Sequence, residues 1–307
     1  MKRKINTIIA NLLFFSCFAQ TDRKIFVADS LTRESIEYAC IVFNDTAGGT
    51  YSNEHGYCYI PQNIEQIELS SIGYYSKTTE LKQDIDTIFL SPKIYEISEA
   101  KVLPNREKRK PVELGYAKEK AMYGMGFPSG GEIAVYIHSI NKENAYRLIK
   151  QIILQLKTNT PKGIRKLVNM ELTDYISVLK INFYRITENN EIGELINTEN
   201  IVFTSEVLKS KTKLDVSKYN IYMPENGIFV AVEWVGRIDT ATGEIIKKTE
   251  NILPLILVSR KIDNSISFAK RKFKRELNNK WEKSVIDTVF YKEFNNGYTP
   301  LISVVLE

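Results

Sequence analysis

From residue 24 onward the chain runs in short stretches where apolar and polar residues alternate, separated by clusters of Gly, Pro, Asn, Asp and Ser. A period of two puts one set of side chains on each face of an extended strand, so these stretches predict β-strands. In the first third they fall at 24–28, 38–43, 57–60, 67–71, 76–81 and 87–90, with turns at 29–32, 45–49 and 53–56. Strands at this regular spacing predict a small sandwich over residues 20–103. Residues 104–131 break the rhythm. A charged run at 105–110 stops at Pro111, and Gly124, Gly126, Pro128, Gly130 and Gly131 follow. This is the composition of a tether, with a short helix predicted around 117–122. From Glu132 the alternation resumes, with Ile133, Val135 and Ile137 opposed to Ala134, Tyr136 and His138. Further strands are predicted at 149–156, 177–186, 200–205, 228–234, 253–259, 265–269 and 301–306. They predict a second, larger β-sandwich over 132–307, jelly-roll-like in its strand count. The expected fold class is all-β.

The first nineteen residues follow a different pattern. Lys2, Arg3 and Lys4 lead into an apolar run that ends in Ser16, Cys17 and Ala19. That is the order of a cleaved secretory signal peptide, with the cut expected between Ala19 and Gln20. The run is too short and too interrupted for a span of about 20 residues, so no transmembrane span is expected in the mature chain. An extracytoplasmic location is expected: periplasm, outer membrane surface or secreted. Phe14-Phe15-Ser16-Cys17 also loosely resembles a lipoprotein cleavage box, which would make Cys17 a lipid anchor.

Composition adds to this picture. Hydrophobic residues make up 43% and charged residues 26% of the 307, which fits a globular chain. The 17 Tyr and 14 Phe suit half-buried strands. The formal charge of +5 includes Lys2, Arg3 and Lys4, so loss of residues 1–19 leaves only +2. A charge that small argues against a nucleic-acid partner.

In the small sandwich the residues carry a resemblance. Asp29-Ser30-Leu31-Thr32, Gly49-Thr50-Tyr51 with Asn53 and Gly56, and Ser71-Ile72-Gly73-Tyr74 stand between strands in an order that resembles the carboxypeptidase-regulatory-like domain. The resemblance covers residues 24 to 103. It implies a seven-stranded, transthyretin-like sandwich that docks or spaces and has no catalytic activity. Further on, 214–221 and 225–234 resemble the C-terminal domain of exported bacterial proteins that carry the same front module.

Candidate chemistry is sparse. There are two histidines: His55 in a tight turn and His138 at a strand end. Neither lies in a zinc-protease motif, so no metal site, cofactor or catalytic residue is expected from them. Strand parity places Cys40 outward and Cys58 inward, which predicts two unpaired thiols. Carboxylate pairs leave a glycoside hydrolase open as a lesser alternative. Trp234 ends an apolar strand and reads first as core. Trp281, among Asn278, Asn279, Lys280 and Glu282, reads as an exposed sugar platform, and both are candidate ligand contacts. Five Asp-Ser/Thr-aliphatic triplets resemble an O-glycosylation signal, with Thr46 and Thr240 the best acceptors. The function expected is a non-enzymatic envelope protein that binds a protein or glycan, with a carbohydrate-binding accessory role as the alternative.

Overall fold

The computed structural model describes residues 22–82, 85–94, 109–126, 128–157, 175–204, 210–239, 243–246, 254–273, 280–283 and 297–307. Residues 1–21, on which the expected signal peptide falls with Cys17, Ala19 and Gln20, lie outside them, as does Thr240. Among the described residues there is no α-helix; two 3-10 turns, Lys142–Asn144 and Ser217–Tyr219, are the helical content. The protein is all-β.

Seven strands form the small sandwich: β1 (Arg23–Asp29), β2 (Cys40–Phe43), β3 (Gly49–Tyr51), β4 (Tyr57–Ile60), β5 (Gln66–Ser70), β6 (Lys77–Glu80) and β7 (Thr87–Leu90). They build one sheet in the order β4-β1-β7 and another in the order β3-β2-β5-β6. Ile25, Val27, Ile41, Ile60, Ile67 and Leu69 fill the space between, each fully buried. β3 was not among the predicted strands because its first residue is a glycine. That glycine has a packing reason: a Cβ on Gly49 would stand 2.2 Å from the Phe273 ring and 2.5 Å from the Ile41 carbonyl oxygen.

The larger unit comprises β8 (Val112–Gly115), β9 (Tyr123–Met125), β10 (Gly131–Ile137), β11 (Ile149–Lys157), β12 (Tyr175–Ile186), β13 (Ile192–Leu195), β14 (Ile201–Thr204), β15 (Lys211–Asp215), β16 (Ile228–Asp239), β17 (Ile245–Ile246), β18 (Leu255–Arg260), β19 (Ser267–Arg271), β20 (Glu282–Lys283), β21 (Tyr298–Pro300) and β22 (Ile302–Leu306). Its central sheet has eight strands, β13-β12-β16-β10-β19-β20, with β14 also on β12 and β17 on β16. Its distal sheet has seven, β21-β18-β11-β22-β8, with β15 on β11 and β9 on β18. The core between them is hydrocarbon, from Ile133, Val135, Leu154, Ile181, Val232 and Trp234.

Two expectations need correction. Residues 109–126 and 128–131 are part of the larger sandwich, not a tether. Leu114 pairs with Val304 and Gly124 with Leu257, so β8 and β9 complete the distal sheet, and residues 116–120 form a turn where a helix was predicted. Apolar residues on these short strands bury against the distal sheet, and that packing outweighs the local glycine and proline content. Residues 104–108 lie outside the described ones. Second, the two sandwiches are packed on one another. Tyr38, Cys40 and Tyr51 of the small unit form one buried cluster with Val178, Val235, Ile238 and Ile245 on the outer face of the central sheet. Cys40 does point away from its own sandwich, but the central sheet covers it, and it is only 5% exposed. Cys58 is buried in the small core, and neither cysteine forms a disulfide among the described residues.

Candidate functional site

β16 reads Ile-Phe-Val-Ala-Val-Glu-Trp-Val-Gly-Arg-Ile-Asp and is buried along all but its last residue. An antiparallel strand with one wet face would alternate apolar and polar; a near-continuous apolar run belongs to a strand covered on both faces. Into that run the sequence inserts Glu233. Register then fixes what stands beside it. Lys180 of β12 lies opposite Glu233, Glu233 opposite Glu132 of β10, and Glu132 opposite Lys270 of β19. Side chains directly opposite one another have Cβ atoms about 4.5–5.5 Å apart, so four strands carry a contiguous row of two cations flanking two carboxylates.

The row is sealed. Glu132 is 0% and Glu233 1% exposed, and Lys180 and Asn182 are also buried. Asn182, two residues beyond Lys180 on the same face, donates its amide to Glu132 Oε1 at 2.7 Å and to Glu233 Oε2 at 3.0 Å. Lys272 Nζ donates to Glu233 Oε1 at 2.7 Å. The small sandwich closes the top: Tyr51 donates its hydroxyl to Glu233 Oε1 at 2.5 Å, and Lys180 Nζ donates to the Tyr38 carbonyl. Tyr184 donates to Glu132 Oε1 at 2.8 Å. Asn53 donates to the Gly243 carbonyl, and Asn200 to the Glu37 carbonyl and Ser71 Oγ, as further polar contacts between the units.

The two carboxylates experience opposite fields. Both are penalised by burial. For Glu233 the ammonium groups of Lys272 and Lys180, with the hydrogen bonds from Lys272 and Tyr51, outweigh that penalty and bring it down to about 2. For Glu132 burial dominates, the Glu233 charge adds to it, and the carboxyl is raised. Glu233 is therefore the more acidic of the two carboxyls, and Glu132 the one that holds its proton to higher pH. A proton on Glu132 also suits the hydrogen bonding: Glu132 Oε2 and Asn182 Oδ1 are buried acceptors without a partner, and protonation turns the first into a donor. Burial lowers Lys180 to about 8, while Lys272 is raised because its attraction to Glu233 exceeds its own desolvation.

Sequence reasoning did not single out this cluster; the signal was a Glu inside an apolar run on two strands, Gly131–Ile137 and Ile228–Asp239. The residues it did single out lie elsewhere. Trp234 is fully buried and donates Nε1 to the Pro254 carbonyl at 3.0 Å, so it offers no face to a ligand. Trp281 is half-buried beside β20, edge-on to Tyr184 with ring centroids 5.5 Å apart and with Lys270 Nζ 5.3 Å from its ring. It borders an aromatic cluster of Tyr136, Phe229 and Phe268 on the part of the central sheet away from the Cys40–Val178 contact. His55 sits in an exposed turn next to Glu54, and His138 is exposed at the end of β10, 3.2 Å from the Asn264 carbonyl oxygen. Thr46 is exposed, while its neighbour Asp45 is engaged by the Glu65 and Gln66 amides. Among the described residues no three His, Cys, Asp or Glu side chains gather to hold a metal ion, and no helix is long and apolar enough to cross a membrane.

No family model, curated protein or solved structure matches the chain. The chemistry of the cluster therefore rests on its own geometry. A retaining glycoside hydrolase needs two carboxyl groups about 5 Å apart whose pKa values are pushed apart, and Glu132 and Glu233 are shifted in opposite directions. Substrate access is the missing element, because both carboxyls are buried and the small sandwich closes over Glu233. As built, the cluster is a clasp between two sandwiches.

Proposed function

We propose that this chain is a non-enzymatic, exported envelope protein whose two sandwiches form one rigid binding module. The observation that carries the reading is the burial of Glu233 and Lys180 beneath Tyr51 and Tyr38: the buried carboxylate and its lysine serve contact between the units, not contact with solvent. Buried charge networks of this kind contribute little net stability but penalise every misaligned arrangement, so they suit a device that fixes orientation. The seven strands of the small sandwich and its resemblance to carboxypeptidase-regulatory-like domains support a docking or spacing role for that unit. The signal-like residues 1–19 support export, and the ligand class is an envelope protein or a glycan.

The test has two parts. Purified protein is incubated with soluble polysaccharides, and binding is read by calorimetry while the same mixtures are assayed for released reducing ends. Binding without cleavage is expected. Cleavage that disappears in Glu233→Gln would overturn the reading in favour of a carboxylate hydrolase. Expression in a Gram-negative host with N-terminal sequencing of the envelope fraction is expected to give Gln20 as the first residue; an intact Met1 in the cytoplasm would overturn the export part.

A further inference from the structure

One end of the larger sandwich is built from four loops, each turned by a residue in the left-handed region. They are the β10–β11 loop with Ile140 at φ 37° and Tyr146 at φ 61°, the β12–β13 turn with Asn190 at 58°, the β15–β16 turn with Gly227 at 88°, and the β18–β19 loop with Asn264 at 62°. Glycine and asparagine are ordinary there. A β-branched isoleucine and a tyrosine are not. Their side chains are also among the most exposed large hydrophobics, Ile140 at 73% and Tyr146 at 52%.

The strain is held from below. Arg147, itself only 6% exposed, donates to the Lys110 carbonyl at 2.8 Å, the Leu306 carbonyl at 3.3 Å and Asn144 Oδ1 at 3.4 Å. The Tyr146 amide donates to the Met223 carbonyl at 2.7 Å, and the Met223 amide to the Arg147 carbonyl at 2.9 Å. Across the end, Thr299 Oγ1 fixes the β18–β19 loop through the Ile262 amide and Ser265. Rigid loops that keep aromatic and amide side chains at the surface lose little conformational freedom on binding.

Two clefts open on this end. The larger, about 840 Å³, is lined by Tyr116, His138, Ile140, Asn190, Lys261 and Asn264. The smaller, about 210 Å³, is lined by Tyr146, Arg185, Glu225 and Asn226. Tyr136 connects them: its ring packs against His138 at 4.4 Å between centroids, and its hydroxyl donates to the Asn226 carbonyl.

The lining selects a ligand class. Phosphate-rich ligands need a cationic surface, and here Arg185 and Lys261 are accompanied by Glu225. A protein partner needs one broad apolar centre, and here the space is split into two separate clefts with Asn190, Asn264 and Lys261 on the walls of one and Asn226, Arg185 and Glu225 on those of the other. Tyrosine faces beside fork-shaped Asn, Arg and Glu side chains match a sugar ring, which offers an apolar C–H face and paired hydroxyls. We infer that this loop end, with Tyr146, Asn190, Asn226 and Asn264, is a binding site for neutral oligosaccharides. The inference rests on the binding-module reading and adds to it the ligand class and the place.

The probe is a panel of neutral oligosaccharides of two to six units in gluco, manno, galacto and xylo series, immobilised for screening and then titrated in solution. Tyr146→Ala is expected to weaken the best binder by about tenfold or more. Asn264→Gly, which keeps the left-handed backbone and removes only the amide, is expected to weaken it by about three- to tenfold. Trp281→Ala is expected to leave it unchanged, with melting temperatures of the three variants close to that of the parent. Absence of binding to the whole panel overturns the inference, as does binding that survives both loop variants. Binding lost only in Trp281→Ala also overturns it, moving the site to the aromatic cluster while leaving the binding-module reading intact.

Discussion

The two faces of the central sheet are built on opposite principles. The inner face presents Ile133, Val135, Ile181, Val230, Val232 and Trp234 to the distal sheet, and its adhesion is hydrocarbon throughout. The outer face presents, on the same four strands, a row of charges between an apolar zone under the small sandwich and the aromatic cluster around Phe229. Hydrocarbon packing is additive and forgiving: a volume-conserving exchange costs little. A buried charge row is neither, because each member is tolerable only while its partners hold position. The inner face therefore supplies stability, and the outer face supplies the orientation of one sandwich on the other.

Three substitutions would break or sharpen that contrast. Trp234→Ala, on the inner face, removes the largest fully buried side chain and leaves the Pro254 carbonyl without its donor. A loss of about 4 kcal/mol in denaturant unfolding is expected. Glu233→Gln strips the anion from Lys272 and Lys180 and should cost about 3 kcal/mol, with protease sensitivity appearing first at the contact between the units. A cost under about 1 kcal/mol would mean the row is not a clasp.

Glu132→Gln is expected to be the mildest, within about 1 kcal/mol at neutral pH, because a neutral amide keeps the shape of a carboxyl whose charged form burial disfavours. Its signature is in the pH profile. Above the ordinary carboxylate range, the native chain keeps a proton on Glu132 that the unfolded chain has lost, so stability falls as pH rises until Glu132 itself titrates. Glu132→Gln should flatten that decline. Glu233 works in the other direction. Its contribution is fully present above the ordinary carboxylate pKa and is lost as pH falls through that value towards about 2, so Glu233→Gln should flatten the acid limb. Urea titrations of both variants from pH 3 to 9 would read both slopes.

Much of the fold was legible in the residues. Alternation placed most strands, including those of the small sandwich between Arg23 and Leu90, and strand parity gave the directions of Cys40 and Cys58. What parity could not reveal is what lies beyond an outward-facing side chain. Cys40 and Tyr38 point out of one unit and into another, and only tertiary contact decides that they are buried. β8 and β9 were hidden because three- and four-residue strands among glycines have no periodicity to detect. The clasp was half legible. The run 228–235 is too apolar for a strand with one wet face, and a Glu inside it must have partners. Those partners come from register across four strands, which the sequence of any single strand does not contain.

Phe273 sets the order in which the molecule can be completed. Its ring occupies a slot that exists because Gly49 and Gly130 have no Cβ; a methyl group at Gly130 would stand 2.6 Å from it. The small sandwich can close its own core from residues 23–90, but the residues that seat it, Phe273 and Lys272, come near the end of the chain, and Tyr51 reaches Glu233 across 182 positions. A chain that emerges N-terminus first therefore presents every strand of the small sandwich, Cys40 included, before the residues that seat it have arrived. During that interval Cys40 is open to modification, and a reagent that caps it would leave two folded halves unable to dock.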